Sequence, residues 1–240
     1  MADYRRFFVD KSCQDGNTVV VSGEEYKHLA NVLRMRVGDN CFVCFNDGID
    51  HFCQIDSIDK TCAHVSILNS WQTECENPFT TTLYMAVTKG DKNDTIVQKA
   101  VELGVNKIVF FESRYTVSKI DEKKAQRLNK ISVEASKQCG RAVIVPVQVA
   151  TIKQVATELG SYDVALFCYE KAQDVSLSTA VGSAKNLALV VGSEGGFSEE
   201  ESQLFVQSGA TAVTLGKRIL RAETAPLYAM AILCDRLGEN

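Results

Sequence analysis

From Leu187 onward the chain reads LALVVGSEGGFSEEE (Leu187–Glu201), and a short distance later it reads TAVTLGKRILRAETAPLYAMA (Thr211–Ala231). Each segment has the pattern of a buried strand, a glycine-bearing turn and the start of a helix. Alternating strands and helices predict a parallel α/β sheet, in which ligand-binding loops gather at the carboxyl ends of the strands. We therefore expect the two turns to face the same small ligand.

The first turn is suited to close contact with a neutral or cationic ligand. Gly192, Gly195 and Gly196 allow close backbone approach, and Ser198 caps a helix whose first turn is Glu199–Glu201, with the last glutamate in the capping-box position. These carboxylates would repel a phosphate. Neither a dinucleotide-binding nor a P-loop glycine pattern occurs, so a sulfonium attached to an adenosine fits better. The alternative is a turn that only joins strand to helix.

The second turn concentrates positive charge before a helix. Gly216 follows the strand, Lys217, Arg218 and Arg221 crowd the loop, and Pro226 lies in the first turn of the helix. Apolar residues among these cations are expected to be buried, which would hold the arginines in a defined geometry. The alternative is an ordinary solvated loop.

Five separated blocks of the sequence resemble one family, the SPOUT methyltransferases, and within it the 16S rRNA uracil N(3)-methyltransferases of the RsmE type. The blocks are HLANVLRMRVGD (His28–Asp39), TKGDKNDTIVQKAVELGV (Thr88–Val105), EASKQCGRAVIVP (Glu134–Pro146), VVGSEGGFSEEE (Val190–Glu201) and LGKRILRAETAPLYA (Leu215–Ala229). Two residues depart from the family's pattern. Ser193 replaces the usual proline of the first loop, and Ser113 stands where the family has a glutamate.

The resemblance implies a methyl transfer from S-adenosylmethionine to N(3) of a uridine, uracil 1498, in 16S rRNA of the small ribosomal subunit. It also implies a trefoil knot in the α/β domain, a PUA-like β-barrel domain that recruits RNA, and a homodimer. The residues expected to hold the cofactor are Phe167, Tyr169, Gly192, Ser193, Glu194, Gly195, Gly196, Leu215, Gly216, Ile219, Leu220 and Ala225.

The chemistry requires a deprotonated imide, because N(3)–H is a weak acid. A neighbouring cation would stabilise the uridinate, and a carboxylate or a water molecule could take the proton. Arg221 is the first choice for the cation and Arg114 the second. Glu223 or Glu194 is the candidate base, with the alternative that Glu223 only orients Arg221.

Positive charge is unevenly distributed in a chain whose net charge is −4. Residues 114–141 carry eight cations against three acidic residues, which indicates a phosphate-contacting surface or, alternatively, a solvated helix face. The residues predicted to contact RNA are Arg5, Arg6, Arg34, Arg36, Lys89, Lys92, Lys137 and Arg141.

Two domains are expected, a PUA-like β-barrel over residues 1–72 and a SPOUT α/β domain over residues 73–240. The first shows short alternating apolar runs separated by glycine turns, interrupted by a helix predicted over Glu24–Met35. The boundary lies in the polar segment Gln72–Pro78. Strands are then predicted over Thr82–Val87, Lys107–Phe111, Asp163–Tyr169, Asn186–Val191 and Thr211–Leu215.

Composition indicates the cellular setting. The 240 residues include no membrane-length apolar run and no signal-peptide pattern. Nine cysteines, an odd number without regular spacing, favour thiols in a reducing cytoplasm. Cys41 and Cys44 lie in an alternating strand pattern, and the three histidines form no cluster in the sequence, so no metal is expected.

Three alternative functions are left open by the residues. The first is the same chemistry on another rRNA or tRNA nucleotide. The second is an RNA-binding ribosome assembly factor without catalysis, and the third is a nucleotide-dependent enzyme.

Overall fold

The computed structural model describes residues 4–238, which form two compact units. The first unit comprises the residues up to Glu76 together with Ser136–Ile144, and the second comprises Asn77–Ala135 and the residues from Val145 onward. Among the described residues, no helix is long and apolar enough to cross a bilayer.

The first unit is built on a six-stranded sheet with the strand order β1-β4-β5-β6-β3-β2. All neighbouring pairs are antiparallel except β1 and β4. The strands are β1 (Arg6–Phe8), β2 (Gln14–Asp15), β3 (Thr18–Ser22), β4 (Asn40–Cys44), β5 (Ile49–Ile58) and β6 (Cys62–Gln72). Alternate residues such as Val19, Val21, Val43 and Val65 are completely buried, because successive side chains of a strand point to opposite faces.

The helix predicted over Glu24–Met35 is shorter and irregular. The α-helix α1 covers Gly23–Lys27 and continues as a π-helical turn over His28–Val32. Leu33 N–H donates to the carbonyl of His28 over 2.9 Å, which is the wider spacing of a π-turn. The segment then ends because Arg34 takes a left-handed φ of 54°.

The second unit is a parallel α/β structure. Its six-stranded sheet has the order β12-β10-β11-β7-β8-β9, and every neighbouring pair is parallel. The strands are β7 (Thr80–Ala86), β8 (Lys107–Phe111), β9 (Val147–Ala150), β10 (Val164–Cys168), β11 (Asn186–Val191) and β12 (Thr211–Val213). The helices are α2 (Lys92–Glu102), α3 (Glu122–Cys139), α4 (Ile152–Leu159), α5 (Leu177–Ala180), α6 (Glu199–Gln207) and α7 (Thr224–Leu237).

The predicted parallel α/β sheet is therefore confirmed, with the five predicted strands present and their ends within two residues of the prediction. The trefoil knot stays a prediction. Strand β9 and helix α5 were not predicted, because each is only four residues long and carries little periodic signal. The central strands β7 and β11 are buried on both faces beyond their first residue, as parallel sheets covered by helices require.

Candidate active site

A cavity of about 560 Å³ lies in the second unit, beyond the carboxyl ends of β10, β11 and β12. This volume is within the range of small-molecule sites. Its lining consists of Lys92, Cys168, Tyr169, Glu170, residues 191–196, residues 214–222 and Ala225. The two glycine turns thus face one cavity, as the sequence predicted.

The first turn is tightly closed, and a side chain at Gly195 would overlap its neighbour. Gly196 has a φ of 65°, and its N–H donates to the carbonyl of Ser193 over 3.0 Å. A Cβ at Gly192 would lie 3.2 Å from the backbone of Gly196, and one at Gly195 would lie 2.5 Å from the Cβ of Tyr115. Glycine at these positions therefore keeps the turn narrow and the backbone open to the cavity.

Helix α6 begins directly after this turn with the predicted capping box. Ser198 Oγ accepts from the N–H of Glu201, and Ser198 N–H donates to Glu201 Oε2 over 2.9 Å. The other carboxylate oxygen of Glu201 accepts the N–H of Arg114 over 2.6 Å. Glu201 therefore fixes the loop after β8 as well as the start of the helix.

Charged side chains form a cluster at the mouth of the cavity. Lys92 Nζ lies 2.8 Å from Glu194 Oε1 and 3.3 Å from Glu223 Oε2, and Glu223 Oε1 lies 4.0 Å from Arg221 Nη1. The Glu194 bond is the main reason that the pKa of Lys92 is raised. Burial opposes ionisation of Glu194, but the Lys92 bond and backbone N–H groups outweigh it, so the pKa of Glu194 is lowered. Both groups are ionised at neutral pH.

The second turn projects cations and apolar side chains outward. Gly216 has a φ of 110°, which places the following loop at the cavity. Ile219 is 89% exposed and the Arg221 side chain is 84% exposed, whereas Leu220 is half-buried. The expectation that apolar residues here are buried is therefore wrong for Ile219, since no segment of residues 4–238 covers this loop.

The structure brings most of the predicted cofactor residues together. Those that line the cavity are Tyr169, Gly192, Ser193, Glu194, Gly195, Gly196, Leu215, Gly216, Ile219, Leu220 and Ala225. Phe167 is not among them, because its side chain is completely buried against Phe197 and Phe205 in the core. Of the predicted catalytic residues, Arg221 lines the cavity, Glu223 contacts it through Lys92, and Arg114 lies outside the lining.

Several lining residues were not predicted as cofactor contacts. They are Glu170, Val191, Thr214 and Ala222, together with Lys92, which was predicted to contact RNA. Their positions at the ends of β10, β11 and β12 and at the start of α2 are the signal that could have identified them.

Three of the residues predicted to contact RNA are engaged within the first unit. Arg6 pairs with Asp50 and stacks over Phe42, Lys137 Nζ lies 2.7 Å from Glu25, and Arg141 Nε lies 2.9 Å from Glu76. Their charges are already compensated, and the side chains are largely buried. The exposed members of the predicted set are Arg5, Arg34, Arg36 and Lys89.

Comparison with known families gives two matches along the chain. Residues 75–234 match the RNA methyltransferase domain family, and residues 21–68 match the RNA methyltransferase PUA domain family. The first match covers more than half of the chain and includes every residue that lines the cavity.

Individual proteins are similar over nearly the whole length. Ribosomal RNA small subunit methyltransferase E of Bacillus subtilis is 31% identical, with 95% of each chain covered. The Aquifex aeolicus protein of the same name is 32% identical, with 92% of this chain and 95% of that protein covered. A crystal structure of the Neisseria gonorrhoeae small subunit methyltransferase E bound to S-adenosyl methionine superposes with a TM-score of 0.91, at 32% identity and 98% coverage of both chains.

Proposed function

Because the chain belongs to the RNA methyltransferase family, we propose that it uses S-adenosylmethionine to methylate N(3) of a uridine, uracil 1498, in 16S rRNA. The observation that carries this proposal is the single cavity enclosed by two glycine turns, in a chain similar over its full length to a cofactor-bound small subunit methyltransferase E.

The residues present fit this cofactor. The volume of about 560 Å³ suits a nucleoside with an attached amino acid, and the narrow turn at Gly195 and Gly196 leaves backbone exposed to hold it. The carboxylates of Glu170 and Glu194 line the cavity and can complement a cationic ligand. When bound, S-adenosylmethionine supplies an electrophilic methyl group on a positively charged sulfur.

The side chains at the cavity mouth suit the activation of a uridine. Arg221 extends a guanidinium into solvent beside the cavity, where it can stabilise the negative charge of a deprotonated imide. Glu223 pairs with both Arg221 and Lys92, which favours a positioning role over a role as the base. Glu194 or a water molecule then accepts the N(3) proton.

The proposal extends to the assembly in which the reaction occurs. We propose that the substrate is the assembled small ribosomal subunit in the cytoplasm and that the enzyme is a homodimer with a trefoil-knotted α/β domain. Tyr228 on α7 is 47% exposed, and Thr224, Ala231 and Asp235 are exposed at the same helical spacing, so this face suits a dimer contact. Light scattering of the purified protein at twice the chain mass would support the dimer.

Two measurements test the central proposal. Calorimetric titration of S-adenosylmethionine should show one bound cofactor per chain or per dimer. Small subunits lacking the modification should then accept one methyl group at uracil 1498, located by mass spectrometry of digested 16S rRNA. Subunits with cytidine at position 1498 are the control and should accept none. Methylation of the control, or of transfer RNA instead, would refute the assigned nucleotide. RNA binding without cofactor binding would favour an assembly factor.

A further inference from the structure

A second cluster of reactive side chains lies in the first unit, at the turn between β5 and β6. Asp59 N–H donates to the carbonyl of Cys62 over 2.8 Å and closes this turn, and the Tyr26 hydroxyl donates to the carbonyl of Asp59 over 2.6 Å. The backbone around Asp59 is thereby held at both its N–H and its carbonyl.

Strand alternation places Cys62 and His64 on the same face of β6. Cys62 and His64 are partly exposed, whereas the residues that follow each of them, Ala63 and Val65, are completely buried on the opposite face. The turn brings Asp59 back over the same outer face. Three different ligand types therefore converge at a position that solvent reaches.

One potential ligand atom of each side chain lies close to those of the other two. Asp59 Oδ2 lies 3.5 Å from His64 Nε2 and 3.8 Å from Cys62 Sγ, and Cys62 Sγ lies 3.8 Å from His64 Nε2. Tetrahedral zinc has bonds of about 2.3 Å to sulfur and about 2.0–2.1 Å to nitrogen and oxygen. Two ligand atoms bound to the same zinc therefore lie about 3.6 Å apart when one of them is sulfur, and about 3.4 Å apart when they are nitrogen and oxygen. The observed triangle is within a few tenths of an ångström of that geometry.

We propose that Asp59, Cys62 and His64 bind a zinc ion on the outer face of the β5–β6 turn. Thiolate, imidazole and carboxylate are the three ligand types that zinc takes in proteins, and three protein ligands leave the fourth position to water. Forming the sulfur–zinc bond breaks the S–H bond of Cys62 and releases its proton to solvent. Bound zinc would tie the turn to the strand and stabilise the first unit.

Other cysteines of the first unit differ from Cys62 in burial, and one of them can serve as a control. Cys41, Cys44 and Cys53 are completely buried, and burial raises the pKa of Cys41 and of Cys53 to about 12. Cys75 is exposed but is not part of the Asp59, Cys62 and His64 group. It is therefore the matched cysteine for substitution and for chemical labelling.

The test uses the full-length protein, stripped of metal and titrated with Co²⁺, a spectroscopic substitute for Zn²⁺. We expect one Co²⁺ per chain, with a thiolate-to-cobalt charge-transfer band and the intense visible bands of tetrahedral coordination, both removed by added Zn²⁺. Cys62→Ser and His64→Gln should lose these bands, and Cys75→Ser should keep them. Circular dichroism verifies that each variant is folded.

A second measurement does not depend on the variants. Zn²⁺ should slow alkylation of Cys62 at least tenfold while leaving the alkylation rate of Cys75 unchanged, as measured by mass spectrometry of peptides. Cobalt bands that persist in Cys62→Ser, bands lost equally in Cys75→Ser, or equal protection of both thiols would overturn the proposal.

Discussion

The side-chain oxygens of Ser113 and Ser193 lie 3.5 Å apart, and both residues are buried. These are the two positions at which the chain departs from the pattern of the family it resembles. Ser113 follows β8, and Ser193 lies in the first glycine turn after β11, so one contact joins the two loops. The two departures from the family pattern are therefore in contact with each other.

This contact predicts that the two residues are energetically coupled. Ser113→Ala and Ser193→Ala should each lower the free energy of unfolding by about 0.5 kcal/mol or more, the low end for a neutral hydrogen bond, because 3.5 Å exceeds the usual O–H···O distance of about 2.5–3.0 Å. The Ser113 change should cost more, because its oxygen also lies 3.0 Å from Thr116 Oγ1. In urea denaturation the double variant should lose about 0.5 kcal/mol less than the sum. Additive losses would show that the serines do not interact.

Gly196→Ala should weaken cofactor binding. A side chain at its φ of 65° is strained, and the new Cβ would lie 2.9 Å from the carboxylate oxygens of Glu170. A cost of about 1.4 kcal/mol or more in the bound state corresponds to at least tenfold weaker binding in calorimetry. Gly209→Ala is the control, because Gly209 has a φ of 90° with open space around it. It should lose stability but bind normally, and equal weakening by both changes would contradict the assignment.

Lys92→Met should raise the pKa of Glu194. In the parent protein, Glu194 stabilises the fold above its ordinary pKa of about 4.3, and this contribution is lost as the pH falls through its lowered pKa. Lys92 contributes below its ordinary pKa of about 10.4, and that contribution is lost as the pH rises through its raised pKa. Burial raises the pKa of Glu194, and in the variant the Lys92 ammonium no longer counteracts this effect.

Carboxyl-carbon NMR across a pH titration measures this change directly. Lys89→Met is the matched control, because Lys89 donates its backbone N–H to Glu194 and keeps that bond in the variant. An unchanged Glu194 titration in Lys92→Met would show that the ion pair does not persist in solution.

Much of the site was predictable because its signals are local. Glycine spacing, the capping residues Ser198 and Glu201, and the apolar runs of β10 and β11 all act within one segment. Placement of the turns at one cavity followed from the general rule for parallel sheets.

The unpredicted features depend on contacts between distant segments. Lys137 and Arg141 looked like surface cations on a basic helix, but their partners Glu25 and Glu76 lie far away in the sequence. Charge patterns along a chain do not show such pairing. The Asp59, Cys62 and His64 triangle is local, yet it becomes visible only once the turn places Asp59 over the strand.

Helix α3 should bind RNA through a smaller set of cations than its sequence suggests. Arg127 pairs with Asp94, whereas Lys123 and Lys130 are exposed at helical spacing. The double variant Lys123→Ala/Lys130→Ala should weaken rRNA binding and reduce the slope of log affinity against log salt by about 0.7–0.9 for each phosphate that the protein no longer neutralises.

The control is the variant Lys153→Ala/Lys185→Ala, which carries the same charge change on other exposed positions and should leave the slope unchanged. Equal effects of the two pairs would exclude α3 as the RNA surface.

Arg221→Ala should impair methyl transfer without impairing cofactor binding. The guanidinium is 84% exposed at the cavity and is available to the incoming uridine, so its loss should lower kcat about 10²–10³-fold, as for other groups that stabilise an oxyanion. Arg218→Ala removes a neighbouring cation of the same loop and should lower kcat much less.

If Glu223 acts by positioning Arg221, the single variant Glu223→Gln will lower kcat, but the same change will add little in an Arg221→Ala background, because the two residues act as one unit. Multiplicative losses in single-turnover measurements would instead assign Glu223 an independent role, such as that of the base.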